Sequence, residues 1–386
     1  MSDKPLIAHV LYRLDTGGME RIVVSLIKAT HARYRHAVIT LAGFGMLRDE
    51  IADVVVACVS LEKRPGTDWR CYLRLQRALR LLKPDLVQTY NLGTLDLAPV
   101  VKAARVRHLV HAEHGRDAAD PDGSIRKYQR LRRWMAPFID RYVAVSPDLR
   151  DWLTERVRLA PAKVTYIANG IDVAAFAASR PRSVARTLLD DFAPAGSVLI
   201  GNVARLDLVK DHASLLAAFK LLRAQAPRSD CRLVIIGDGP QRDTLARQIA
   251  QLGLAASVRL LGNRSDVAAL LGECDLFALS SIAEGMPVTV LEAMAAGLPV
   301  VATGVGSVAT VVADDVTGTL VPVRDPRALA DALAMYVDDA ALRSRLGEAG
   351  RARVTTQFTL AAMVSSYTAL YDGLLGARTP TVHGEA

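Results

Sequence analysis

Two carboxylates, Glu284 and Glu292, stand with seven residues between them in the stretch SSIAEGMPVTVLEAMAAGLPVVAT, residues 280–303. Pro287 suits the first turn of a helix, where its missing N–H costs nothing, and Gly297 suits its end. The pattern predicts Glu284 in the loop ahead of that helix and Glu292 about two turns in, at ~3.6 residues per turn. A helix start offers the free amides of Val288 and Thr289 and a positive dipole end to a phosphate. A carboxylate beside it can accept hydrogen bonds from sugar or ribose hydroxyls. The same spacing also describes a capping carboxylate and a solvated helix face.

Arg205 and Lys210 lie five residues apart in VARLDLVKDH, a strand-to-helix connection. A forked guanidinium and a point-charge ammonium can converge there on one diphosphate, or can simply furnish a basic loop. Gly17-Gly18, between a first strand and a helix, lets backbone amides approach a ligand, as does many a plain turn. His111 and His114 in HAEHGRD end another strand, without the spacing of metal ligands on one helical face. Of the two, His114 precedes a glycine at the carboxyl end, where side chains enter a cleft. Asp120-Pro121-Asp122-Gly123 could hold a divalent cation but carries the marks of a turn. The Gly237-Asp238-Gly239 run begins like a dinucleotide fingerprint, but Arg242 replaces its third glycine and no ribose-binding acid follows, which excludes nicotinamide binding. No metal site and no cofactor is expected.

These residues need a scaffold that brings strand ends together. Short apolar strands alternate with amphipathic helices such as Met19–Thr30, Trp69–Leu82 and Pro147–Arg156. The strands of the first half are expected at Ile7–Leu11, Ala37–Leu41, Val55–Leu61, Leu86–Thr89, Leu109–Glu113, Tyr142–Val145 and Val164–Ile167. Those of the second half are Val198–Val203, Leu233–Ile236, Val258–Leu261, Leu276–Leu279, Val300–Ala302 and Thr319–Val321. Such alternation predicts α/β domains whose parallel sheets are covered on both faces.

The 386 residues suffice for two domains. Four scattered cysteines, Cys58, Cys71, Cys231 and Cys274, form no CxxC pair and suit a reducing cytoplasm. The uncharged run 293–313 is broken by Gly297, Pro299, Gly304 and Gly306, so no transmembrane helix is expected. Net charge is +8, carried by the first half: residues 1–172 hold 28 basic against 19 acidic residues, and residues 173–386 hold 20 against 21. The basic run from Arg126 to Arg133 reads as an amphipathic helix, either a solvated face or one touching an anionic membrane surface. Nucleic acid is not expected, because no groove-reading motif accompanies the charge.

The stretch from Glu284 to Thr303 resembles the donor-site signature of the retaining family 4 glycosyltransferases, with its paired glutamates and following Gly-Leu-Pro-Val-Val. The resemblance covers nearly the whole chain and is strongest over 198–322. More narrowly, HVLYRLDTGGMERIVVSLI and EHGRD resemble sugar transferases of bacterial exopolysaccharide and exosortase-linked clusters. The family implies the GT-B fold, two Rossmann-like domains facing across a cleft. It places an acceptor-side domain at 1–172, a linker at 173–196, a nucleotide-sugar domain at 197–358, a last helix at about 360–376 packing back on the first domain, and a tail at 377–386.

By the same resemblance Glu284, with Gly285 and Met286, contacts the transferred sugar, and Glu292 the ribose. Arg205, Lys210, the amides of Val288 and Thr289, and Gly17-Gly18 face the diphosphate. His114 lines the reacting sugar, and Asn263 and Arg264 lie near the base. The implied reaction is metal-independent transfer of a hexose from a nucleotide diphosphate sugar to a glycan or lipid-linked acceptor, in the cytoplasm or at the inner face of its membrane. Two other readings stay open: a nucleotide-sugar epimerase of the same shape, and a basic nucleic-acid binder.

Overall fold

The computed structural model describes residues 4–66, 68–116, 120, 122–177, 186–225 and 230–376. The tail expected at 377–386 and residues 178–185 of the expected linker lie outside them. The chain divides into two units, Met1–Ala168 with Ala361–Ala386, and Asn169–Leu360.

Unit 1 is built on a seven-stranded sheet of β1 (Leu6–Leu11), β2 (Arg35–Thr40), β3 (Val55–Ser60), β4 (Leu86–Tyr90), β5 (His108–Glu113), β6 (Arg141–Ala144) and β7 (Val164–Tyr166). Unit 2 has six strands, β8 (Val198–Val203), β9 (Cys231–Ile236), β10 (Val258–Gly262), β11 (Leu276–Leu279), β12 (Val300–Thr303) and β13 (Gly318–Val321). Every expected strand is present within a residue or two at each end. β1, β4 and β11 are buried along their whole length, as strands covered by helices on both faces must be, with His9, Gln88 and Thr89 buried among the apolar residues.

All pairings between these strands are parallel, in the orders β3-β2-β1-β4-β5-β6-β7 and β10-β9-β8-β11-β12-β13. In each unit the chain winds outward from its first strand and then returns to that strand's other side. The order therefore reverses between β1 and β4 and between β8 and β11. The crevice beyond the carboxyl ends of such a reversal is where open α/β sheets bind their ligands.

The last helix, Leu360–Leu375, is held in unit 1 by polar contacts. The Asp372 carboxylate accepts from Arg33 through both oxygens, Nε at 3.2 Å and Nη2 at 2.6 Å, and from the Tyr34 hydroxyl at 2.6 Å. The Tyr371 hydroxyl donates to Gln88 in β4. In unit 2 the described parts of 173–196 are anchored by Arg186, whose Nη2 meets Asp275 Oδ2 at 2.5 Å, and by the Thr187 amide on Glu273 Oε1 at 2.6 Å.

The basic run near residue 130 forms the helix Arg126–Met135, but Arg132 is not part of an outward face. It is 1% exposed and clasps the fully buried Glu113 with Nε at 2.6 Å and Nη2 at 3.1 Å. Burial pushes the Glu113 carboxyl up, and the Arg132 charge with the neighbouring His111 more than offsets it, leaving a pKa of about 2. No helix among the described residues is long and apolar enough to cross a membrane.

Candidate active site

In unit 2 the carboxyl ends of β8 and β11 present the two charged segments side by side. After β8, Asp207 organises the cations: its Oδ2 accepts the Arg205 fork at 2.8 and 2.7 Å, and its Oδ1 accepts the Val209 amide at 3.1 Å, starting the short turn Leu208–Lys210. After β11, the Ser280 hydroxyl donates to the carbonyls of Lys210 and Asp211, each at 2.9 Å, and the Ile282 amide to that of Val209 at 2.9 Å. The loops are thereby locked together, and the Lys210 ammonium meets Glu284 Oε1 at 2.6 Å. Ser281 donates its hydroxyl to the same oxygen at 2.7 Å, which leaves Oε2 for another donor.

The helix after Glu284 runs Val288–Ala295, so Pro287 caps it rather than opening its first turn, and Glu292 lies just over one turn in rather than two. The amides of Val290 and Leu291 already reach the Pro287 carbonyl, at 3.1 and 3.4 Å. Those of Val288 and Thr289 belong to the first-turn donors that a helix leaves without an internal acceptor. Gly297 ends the segment at φ +71°. Glu292 is half-buried on this helix, and Met286 is held from Asn169, whose amide lies 3.1 Å from its Sδ.

Two supports were not legible in the sequence. Gly306 sits at φ +53°, and a Cβ there would stand 1.9 Å from the Glu284 carbonyl oxygen. Ser307 donates both its amide, at 3.2 Å, and its hydroxyl to the Gly285 carbonyl. The β12 connection thus braces the Glu284 loop by backbone contact. The rejected dinucleotide-like run has a related use: Cβ atoms on Gly237 and Gly239 would stand 2.1 and 2.4 Å from the carbonyls of Ala204 and Leu206, which flank Arg205.

Arg205 projects outward, its side chain 67% exposed, with its guanidinium on Asp207. Asn263 and Arg264 are exposed beyond the edge strand β10, with Arg264 forked on Asp266 at 2.8 and 2.6 Å. Among the described residues no hydrogen bond or ion pair joins either of them to Lys210 or Glu284.

In unit 1 Gly17 caps the helix Gly18–Thr30 immediately beyond β1. At the end of β4, Asn91 adopts φ +58° and binds in two directions, Oδ1 accepting the His114 amide at 2.7 Å and Nδ2 reaching Met19 Sδ at 3.4 Å. Asn91, which no motif marked, therefore ties His114 to Met19, the residue after Gly17-Gly18. Both ring nitrogens of His114 are buried without a hydrogen-bond partner, and burial lowers its pKa to about 4, so the ring is neutral near pH 7. His111 has a partner, Thr89 Oγ1, at 2.8 Å from its Nδ1. Asp120 is committed to the amides of Ser124 and Ile125 at 2.8 and 3.1 Å. No group of three His, Cys, Asp or Glu among the described residues could hold a metal ion.

Comparison with known proteins places this arrangement. Residues 191–353 match the model of glycosyl transferases group 1, and residues 16–175 that of glycosyltransferase family 4. Glycogen synthase of Mycobacterium tuberculosis (strain ATCC 25618 / H37Rv) is 30% identical over 300 residues, covering 75% of this chain and 69% of that protein. The lipopolysaccharide core biosynthesis glycosyltransferase LpsD of Rhizobium meliloti (strain 1021) is 27% identical over 376 residues, 95% of this chain and 98% of the relative. Among solved structures, Anabaena HepE in complex with UDP and glucose superposes with a TM-score of 0.83 at 21% identity, covering 96% of this chain and all of that one. Paired parallel sheets of seven and six strands are thus the two Rossmann-like domains of the GT-B fold, and the chain belongs to the family 4 glycosyltransferases.

Proposed function

We propose that this glycosyltransferase moves a hexose, with retention of anomeric configuration, from a nucleotide diphosphate sugar to a hydroxyl of a glycan or lipid-linked acceptor. The setting is exopolysaccharide or cell-surface glycan assembly, in the cytoplasm or at the inner face of its membrane. Support for the donor comes from the HepE complexes with UDP and with UDP-glucose, and for the acceptor class from the lipopolysaccharide core relative.

The observation that carries the reading is the Lys210–Glu284 pair at the reversal between β8 and β11, with one carboxylate oxygen already satisfied by Lys210 and Ser281. A carboxylate so fixed can receive a sugar hydroxyl on its other oxygen, while Lys210, Arg205 and the amides of Val288 and Thr289 meet the diphosphate. In transfer, the bond from the anomeric carbon to the diphosphate breaks with its electron pair going to phosphate. The acceptor oxygen then bonds that carbon and gives its proton to the departing phosphate oxygen. Preorganised cations and amides stabilise the growing negative charge, as in other sites of this type, with no divalent ion required for neutralisation. Glu292 would hold the ribose, Gly285 and Met286 would shape the sugar pocket, Gly17-Gly18 would face the diphosphate, His114 the reacting sugar, and Asn263 with Arg264 the base.

The test is thermal stability against UDP-, GDP- and ADP-sugars, followed by transfer to candidate acceptors with NMR of the product. One donor is expected to raise Tm, since a ligand at about a hundred times its Kd adds about 2.7 kcal/mol. Nucleotide is expected to be released only with acceptor present, and the anomeric configuration to be kept. No stabilisation by any donor, or an inverted product, contradicts the proposal.

A further inference from the structure

A second charged site lies at the opposite, amino-terminal edge of the unit 1 sheet. A cavity of about 660 Å³ is walled by the connections entering β4 and β5, and includes Arg80, Lys83, Arg105 and Arg107. An adjoining one of about 310 Å³ shares Arg107 and Asp85 and adds Lys4, Arg35 and His108. Six cationic side chains thus face one carboxylate, and that carboxylate is engaged, since Asp85 Oδ2 accepts the Leu6 amide at 2.8 Å. None of the six forms an ion pair among the described residues.

The helix ends explain part of this. Arg80 and Lys83 close the helix Trp69–Leu82, and Arg105 follows the helix Ala98–Ala103, where the negative dipole end favours cations. Lys4, Arg35 and Arg107 precede or begin strands and have no such cause. Lys83 and Arg105 are moreover held at φ +50° and +63°, a conformation costly for side chains of this kind, and the turns they make direct both chain entries around the cavity. His108, in the second wall, has a buried Nε2 without a hydrogen-bond partner. Unpaired like charges gathered in a concave wall repel one another and focus a positive potential, which is relieved by a ligand of opposite charge.

We infer that this trough binds a polyanion carrying two or more phosphate groups, at a site separate from that of the transferred sugar. Guanidinium forks suit phosphate oxygens, and two joined cavities suit two phosphates rather than one. The ligand's phosphates belong either to a soluble polyphosphate or to the headgroups of an anionic lipid surface, and the experiment separates these sources.

The test uses the full chain carrying Arg205→Ala and Lys210→Ala, so that binding at the unit 2 cations does not mask the result. Inorganic tripolyphosphate is titrated calorimetrically, and flotation is measured with vesicles of equal parts phosphatidylcholine and phosphatidylglycerol. Adding Arg105→Asn and Arg107→Gln is expected to weaken binding at least about tenfold in one arm, because two charge-assisted contacts are lost; asparagine tolerates the left-handed backbone at 105. Adding Lys127→Ala and Arg130→Ala, exposed residues of the helix Arg126–Met135, is expected to leave tripolyphosphate binding unchanged. Arg105→Lys with Arg107→Lys, which keeps the charge, is expected to retain most of it. Loss in the tripolyphosphate arm identifies a soluble ligand, and loss in the vesicle arm alone a lipid surface. No binding in either arm, or equal loss with the 127/130 pair, overturns the inference.

Discussion

The Lys210 ammonium lies 2.6 Å from Glu284 Oε1, joining a residue after β8 to one after β11 across the point where strand order reverses. Ser281 shares that carboxylate oxygen at 2.7 Å, so the rotamer of Glu284 is set by two donors rather than one. Ser281→Ala keeps the charge pair and removes one hydrogen bond to the carboxylate, worth about 1.5 kcal/mol. Transfer should fall by about tenfold in kcat/KM, measured with the cognate donor, with Tm lowered by no more than a few degrees.

Backbone contact at Gly306 positions the same loop. A Cβ at 1.9 Å from the Glu284 carbonyl, on a residue at φ +53°, forces one of the two segments to move. Gly306→Ala is expected to lower kcat/KM by about a hundredfold or more, since small misplacements of catalytic groups are costly. Gly304→Ala, whose Cβ would meet nothing closer than 3.9 Å, should stay within about twofold. Kinetics of the two variants side by side, with Tm as a control, check this.

Buried histidines make unit 1 sensitive to acid. His9 Nε2 lies 3.0 Å from His36 Nδ1, and Thr30 Oγ1 lies 3.0 Å from the other nitrogen of His36. Burial, and secondarily a like charge nearby, lowers both pKa values, that of His36 to about 4 from 6.5. The unfolded chain therefore binds protons that the folded chain refuses, and stability, fully present above about pH 6.5, is lost as pH falls towards 4. Each such histidine contributes a slope of up to about 1.4 kcal/mol per pH unit in that window. Urea unfolding at several pH values should show this slope, and His36→Leu should be less stable at pH 7 but with a flatter dependence.

The Arg132–Glu113 pair predicts an asymmetry between single and double replacement. Removing Arg132 alone leaves a buried carboxylate without its cation, which costs about 3–5 kcal/mol. Arg132→Met should destabilise by that amount, whereas Arg132→Met with Glu113→Leu should recover much of it. Denaturant titration of the two variants checks this.

Much of the fold was legible because the strands are apolar runs of the right length punctuated by glycine, proline and asparagine. The charged residues of unit 2 were legible because a strand-to-helix loop and a helix start hold them in two short stretches, 205–210 and 284–292. What escaped the sequence depends on distant partners or on backbone geometry. Arg132 looked like part of a basic face because its partner lies nineteen residues away, in β5. Asn91 and Gly306 act through positive φ, which their residue types permit but which only the folded backbone reveals. Asp207 and Ser281 had a visible signal, a carboxylate between two cations and a hydroxyl three residues before a glutamate, but only the folded loops show what they hold.

The claim that the diphosphate of an activated sugar is held by Arg205 and Lys210 is tested most directly by calorimetry of UDP, GDP and ADP against the intact chain and the Arg205→Ala/Lys210→Ala variant. The account predicts that one nucleotide binds the intact chain and binds the variant at least about a hundredfold more weakly, two charge-assisted contacts being lost, while Glu284→Gln keeps nucleotide affinity and loses transfer. Equal affinity of the intact chain and the double variant for that nucleotide would contradict it.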